Sequence, residues 1–172
     1  QATIDALKYC VVNDIKYQDL LLEPGSPLDP ISRDYTINGR LDVSTLTRIP
    51  SAEEEDATLA SSTAVCWAYL VQAAAHEDPT LNINGFQSSG SAEGYRDLAT
   101  QIKYDSDKGG DRDLVAEPGR SNHGWGNAID FWIDNGSREH QWLKNNAYRF
   151  GFKPYWREHW HWDFSYIPDF LK

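Results

Sequence analysis

The chain has 172 residues, 40% hydrophobic and 24% charged, with a formal net charge of −10. That length suits one domain with a real core, and the composition is that of a soluble globular protein. The acidic balance and the lack of a basic patch argue against a nucleic-acid partner, and no apolar run approaches the ~20 residues needed to cross a membrane.

In chain order, residues 1–50 read as irregular. Pro24, Gly25, Pro27, Pro30 and then Asn38-Gly39 punctuate short apolar pieces. Residues 1–35 are set apart as an N-terminal extension and 36–172 as the folded domain. The chain starts at Gln1 rather than Met, as a mature or trimmed product would. Acidic residues Glu53 to Asp56 follow Pro50 and Ser51, where negative charge favours a helix start.

A helix is expected from about Glu53 to His76. Leu59, Thr63, Trp67, Leu70 and Ala74, spaced 4, 4, 3 and 4, make one face, with Trp67 in the core. Asp78-Pro79 ends it. "LNINGFQSS", 81–89, alternates apolar and polar residues and reads as a strand. A second helix is expected over Ala92 to Tyr104, with Tyr95, Leu98 and Ile102 facing in. "NAIDFWID" is the next strand. "SREHQWLKNNAYRFG" is a third helix, capped by Ser137 and closed by Gly151. "HWHWDFSY" is a last strand. The class is α+β with a small, largely antiparallel sheet.

Cys10 and Cys66 lack CxxC spacing, which excludes a cysteine zinc site; they either form one disulfide or stay as buried thiols. Of five histidines, His76 and His140 lie in expected helices with no acidic or His partner at ligand spacing, and read as ordinary surface or helix-end residues. His123 sits in "SNHGWGNAID", seven residues before Asp130. On one regular strand the two would face opposite ways. On one helix they would lie about 10 Å apart along the axis. Neither geometry puts both ~2 Å from one ion, whereas a folded-back loop does, with Gly124 and Gly126 supplying backbone freedom.

The second cluster is "EHWH", Glu158 to His161. A hydrolytic metal site needs a carboxylate base beside its water, and Glu158 offers one. Glu158 and His161 have opposite strand parity, so Glu158 must enter the strand from a bend. His159 shares the parity of His161 and competes with it as a ligand. Trp125, Trp132, Trp156, Trp160 and Trp162 crowd these motifs; most are assigned to core or pocket wall, with one or two left to line a peptide groove.

"SNHGWGNAID" fits the pattern SxHxxGxAxD, and "EHWH" fits ExWH. Together they resemble the D-alanyl-D-alanine carboxypeptidase family of zinc peptidases, the VanY type, whose wider group includes phage endolysins and the hedgehog domain. "GYRDLATQ", Gly94 to Gln101, is similar to the family's GYRSxxxQ segment, and "NGRLDVSTL" and "NNAYRFGF" add to the likeness, which spans about residues 36–166. The resemblance implies His123, Asp130 and His161 as ligands of one zinc ion, Glu158 as general base and acid, and Arg96 as the cation at the scissile carbonyl. It implies Ser121 and Gln101 as supporting or substrate-contact positions, with His159 altering substrate contacts where relatives commonly have Pro. Asp97, where relatives often have Ser, is read as a helix-start residue.

The expected function is zinc-dependent cleavage of a peptide bond in peptidoglycan, as a cell-wall endopeptidase of endolysin type. One alternative is a carboxypeptidase trimming D-alanine from stem peptides, for which Arg120 or Arg157 would hold the free carboxylate. The other is a zinc-bearing binding domain without catalysis, against which Glu158 and Arg96 argue. A monomer is expected, acting on a stem peptide or cross-bridge outside the cytoplasm, or phage-encoded and acting on the host wall.

Overall fold

The computed structural model describes residues 35–49, 57–83 and 93–165. The extension to residue 34, Cys10, the acidic run 53–56 and residues 84–92 lie outside them.

A short 3-10 turn, Val43–Thr45, capped by Asp42, leads into strand β1, Leu46–Ile49. β1 pairs antiparallel with β2, Ala57–Ala60, from Leu46 opposite Ala60 to Ile49 opposite Ala57. Helix α1, Ser61–Glu77, follows directly. Its start at Ser61 corrects the expected start near Glu53. Leu59 is fully buried, as its spacing to Thr63 and Trp67 suggested, but it reaches the core from a strand. Every residue from Ser62 to Ala68 is buried, so α1 is an interior helix covered on most sides. Trp67 packs in the core as expected.

Leu81 to Ile83, the described part of the strand expected over 81–89, form no regular element; the rest of that expectation lies outside the described residues. Helix α2 spans Leu98–Asp107 rather than starting at Ala92, because the Asp97 side chain accepts from Thr100 N at 2.7 Å and caps it there. Its inward residue is Gln101. Ile102, expected inside, is 53% exposed. Helix α3, Arg138–Asn146, is capped by Ser137 as expected. It tightens into a 3-10 turn, Ala147–Phe150, and ends at Gly151 with φ +88°. His140, read as a surface or helix-end residue, is instead buried, its Nδ1 accepting from Gly136 N at 2.9 Å. His76 is exposed.

The second sheet has three antiparallel strands in the order β3-β5-β4. β3 is Ala128–Asp130, β4 is Phe152–Tyr155 and the central β5 is Glu158–Phe164. Sheet and helices together are α+β. On β5, Trp162 and Phe164 bury their rings in the core with Ile129, Phe131, Phe152 and Leu143. A strand alternates faces, so His161 and Asp163 are turned the other way. Slipping the register by one residue would expose both rings at a cost of roughly 3–6 kcal/mol, using about 1.5–3 kcal/mol per buried side chain. The core therefore fixes which residues β5 presents to the site.

Candidate metal centre

Three elements meet on that other face of the sheet. Asp130 of β3 lies directly opposite His161 of β5 in the antiparallel register, so their side chains are nearest neighbours. Asp130 Oδ1 is 2.8 Å from His161 Nδ1. The third group, His123, arrives on a 3-10 turn, Asn122–Trp125. Its Nε2 lies 3.2 Å from His161 Nδ1 and 3.4 Å from Asp130 Oδ1. One donor atom from each of His123, Asp130 and His161 falls within 4.8 Å of the other two.

The turn explains how residues seven apart in sequence converge. Ser121 caps it through its hydroxyl, which accepts from His123 N at 3.3 Å. Gly126 ends it at φ +66°, and a Cβ there would stand 2.5 Å from Ala60 N. Gly126 thus supplies the backbone freedom expected of it. Gly124 has a different task, correcting the assignment of freedom to both glycines: its missing Cβ would sit 2.1 Å from Asn38 Oδ1.

Opposite parity separates Glu158 from His161 on a regular strand. Pairing between β4 and β5 is irregular there: Pro154 faces Trp162, but the next residue, Tyr155, faces Glu158. The irregularity brings Glu158 Oε2 to 3.9 Å from His161 Nδ1, the bend the parity required. Arg96 closes the other side, with Nη2 3.8 Å from Asp130 Oδ2 and its guanidinium over the Tyr104 ring.

His123 Nδ1 is 2.8 Å from the carbonyl oxygen of Gly94. That oxygen only accepts, so Nδ1 carries the proton and Nε2 turns its lone pair inward. Burial, with Arg96 and His161 adding to it against Asp130, lowers the His123 pKa and keeps the ring neutral. Burial alone would raise the Asp130 pKa. The hydrogen bond and charge of His161 override it and hold this carboxyl well below its usual range. Burial likewise opposes charge on His161, yet hydrogen bonds to Asp130 and Asp163 push its pKa up to about 10. Glu158 goes the other way: burial, helped by the Asp130 charge, raises it against His161 and Arg96. Two imidazole nitrogens and an ionised carboxylate oxygen are a donor set that fits zinc.

His159 stays out of the cluster. Its Nε2 lies 3.0 Å from the Ile133 carbonyl, and its ring packs edge-on to His140 and Trp160. Gln101 is buried with both ends engaged: Nε2 donates to Asn38 Oδ1 and the Arg96 carbonyl, and Oε1 accepts from Gly119 N. Ser121 is likewise buried. Both hold the loops around the site in place. Of the tryptophans, Trp125 and Trp162 are buried while Trp156 is 81% exposed. Sequence reading gave no site role to Asp163, Asn122 or Asn38. Asp163 carried a usable signal, being two residues beyond His161 and hence on the same face.

No family model and no curated protein matches the chain. Solved structures do. One is a mutant of the vancomycin resistance D,D-pentapeptidase VanY from a VanB-type resistance cassette, in complex with Zn(II). At 22% identity and a TM-score of 0.51 it covers 67% of this chain and 77% of its own. The other is VanYB in complex with D-alanine-D-alanine, at 22% identity and a TM-score of 0.51, covering 70% of this chain and 83% of its own. The chain shares the fold of VanY. That agrees with the α+β class expected from the sequence.

Proposed function

We propose that the protein is a zinc-dependent D,D-peptidase acting on peptidoglycan peptides, with His123, Asp130 and His161 as the ligands. The observation that carries this reading is the convergence of that N/N/O set with Glu158 and Arg96 at its edge. When bound, zinc supplies Lewis acidity toward a peptide carbonyl and makes a water easier to deprotonate. Glu158, whose pKa burial raises against the pull of His161 and Arg96, takes the proton of the attacking water and returns it to the departing amine. Arg96, fixed between Asp130 and Tyr104, presents its guanidinium to the carbonyl oxygen as charge develops. Asp130 stays ionised as a ligand, so the two carboxylates divide the work.

For the bond cut, the likeness to VanYB with D-alanine-D-alanine favours removal of a terminal D-alanine over the cell-wall endopeptidase reading that led from sequence. One observation keeps the endopeptidase as a second reading. Arg157 and Arg120, the cations suggested for a free carboxylate, pair with Asp113 at 2.6 Å and Glu117 at 3.1 Å. Each arginine would have to leave its acid partner before it could hold a free substrate carboxylate, whereas an internal bond makes no such demand. Both readings place the work outside the cytoplasm, where peptidoglycan is. No helix among the described residues is long and apolar enough to cross a membrane.

Zinc-loaded protein should be incubated with a soluble pentapeptide precursor and, separately, with cross-linked muropeptides, and the products weighed by mass spectrometry. Loss of one D-alanine from the precursor supports the carboxypeptidase. Cleavage of cross-links alone supports the endopeptidase. No cleavage of either, with zinc bound, leaves a binding domain.

A further inference from the structure

The proposed ligands do not account for Asp163. Its carboxylate sits on the far side of the His161 ring from the cluster. Oδ1 lies 3.0 Å from His161 Nε2 and accepts from Asn122 Nδ2 at 2.8 Å. An ionised carboxylate only accepts, so it requires the His161 proton on Nε2. The ring nitrogen left for an ion is then Nδ1, the atom that already points at Asp130 Oδ1 and His123 Nε2. Asn122 is the residue before His123 and the first of the 3-10 turn that carries it. One carboxylate oxygen therefore joins the two histidine-bearing elements, β5 and the turn, whose ligands lie 38 residues apart in sequence.

We propose that Asp163 is a positioning residue for the metal: it locks His161 in the tautomer that offers Nδ1, and through Asn122 it sets the distance between His161 and His123. This rests on the zinc reading given above. A ligand free to flip or change tautomer spends part of its population unable to bind, and the metal is held more weakly by that fraction. Burial makes the restraint effective. The His161 side chain is 12% exposed and Asp163 25% exposed, so water is a poor substitute for the carboxylate.

The test compares zinc affinity, by competition with a chromophoric chelator, for the parent chain, Asp163→Ala, Asp163→Asn and Asn122→Ala. Thermal melting of the metal-free proteins is followed in parallel. Asp163→Ala should weaken zinc binding about 10–100-fold, the usual scale for losing such a partner. Asp163→Asn can still accept from Nε2 through its amide oxygen, so it should recover most of that loss. Asn122→Ala should fall between them. Nitrogen-15 spectra of the zinc-loaded parent should show His161 protonated on Nε2 and metal-bound through Nδ1. That signature would not follow from a purely structural role. Metal bound through Nε2 overturns the proposal, as does an Asp163→Ala affinity within about twofold of the parent. If Asp163→Ala fails to fold, the Asp163→Asn variant and the parent spectrum still decide it. Failure of the parent itself to bind zinc would count against the metal reading, and is distinguishable from failure of the brace.

Discussion

Asp130 and Glu158 are two carboxylates a few ångströms from the same histidine, and their surroundings push them apart. Asp130 has both oxygens engaged, by His161 on one side and Arg96 on the other. Glu158 has His161 as its near partner, at 3.9 Å. Ionisation is thus stabilised at Asp130 and discouraged at Glu158, as the proposed roles of ligand and proton shuttle require. Glu158→Gln keeps the size but cannot take a proton. Peptide cleavage should fall by about a hundredfold to ten-thousandfold. Zinc content and melting temperature should stay near the parent values, measured on the same sample. Near-normal cleavage at full zinc occupancy would remove Glu158 from the mechanism. Arg96→Ala should lower turnover by on the order of a hundredfold or more, the scale for losing a transition-state donor. Because Arg96 also touches Asp130, zinc affinity is measured with it. A large drop in melting temperature with turnover intact would reassign Arg96 to a structural ion pair.

β5 shows how an element converts core packing into site geometry. Trp162 and Phe164 face the core, which turns His161 and Asp163 to the other face, and the irregular pairing at Tyr155 brings Glu158 round to join them. His161→Ala should therefore abolish stoichiometric zinc while His159→Ala leaves it intact, read by metal analysis. The reverse result would mean that the strand register at the site is wrong. Gly126→Ala forces a side chain into φ +66° and against Ala60 N, and should cost about 1–3 kcal/mol, seen as a lower denaturation midpoint. The motif residues of this face were legible because their spacing carries chemistry. Ser137 and Gly151 were legible because caps have strong local preferences. The short strands were not. "ATLA" merged with the following helix because Leu59 happens to continue its four-residue spacing, although a strand delivers it to the core. "FKPY" was hidden by Pro154, which argues against a strand unless the strand lies at an edge, as β4 does. The inward face of α2 was misread because periodicity looks for apolar residues, and here the buried position is Gln101, which ties loops together.

Across the whole molecule, the site joins a turn, two strands and the segment before α2, so an ion held there would tie distant stretches of chain together and stabilise the fold by mass action. In the metal-free fold a proton on His161 partly takes that role. The ring lies between Asp130 and Asp163, and its pKa is raised from 6.5 to about 10. Protonated His161 therefore contributes stability that is complete below about pH 6.5 and is lost as the pH climbs through about 10. On the proposed ligation, His161 would have to give up its Nδ1 proton before that nitrogen could hold zinc. His123 is already neutral and Asp130 already ionised, so neither has a proton to give up. Binding near pH 6.5 should thus release about one proton from the protein, and zinc affinity should rise by about tenfold per pH unit above it. Calorimetric titration in two buffers of different ionisation enthalpy counts that proton directly. A release near zero at this pH would show that His161 enters binding neutral, and that the two acids beside it do not hold the charge.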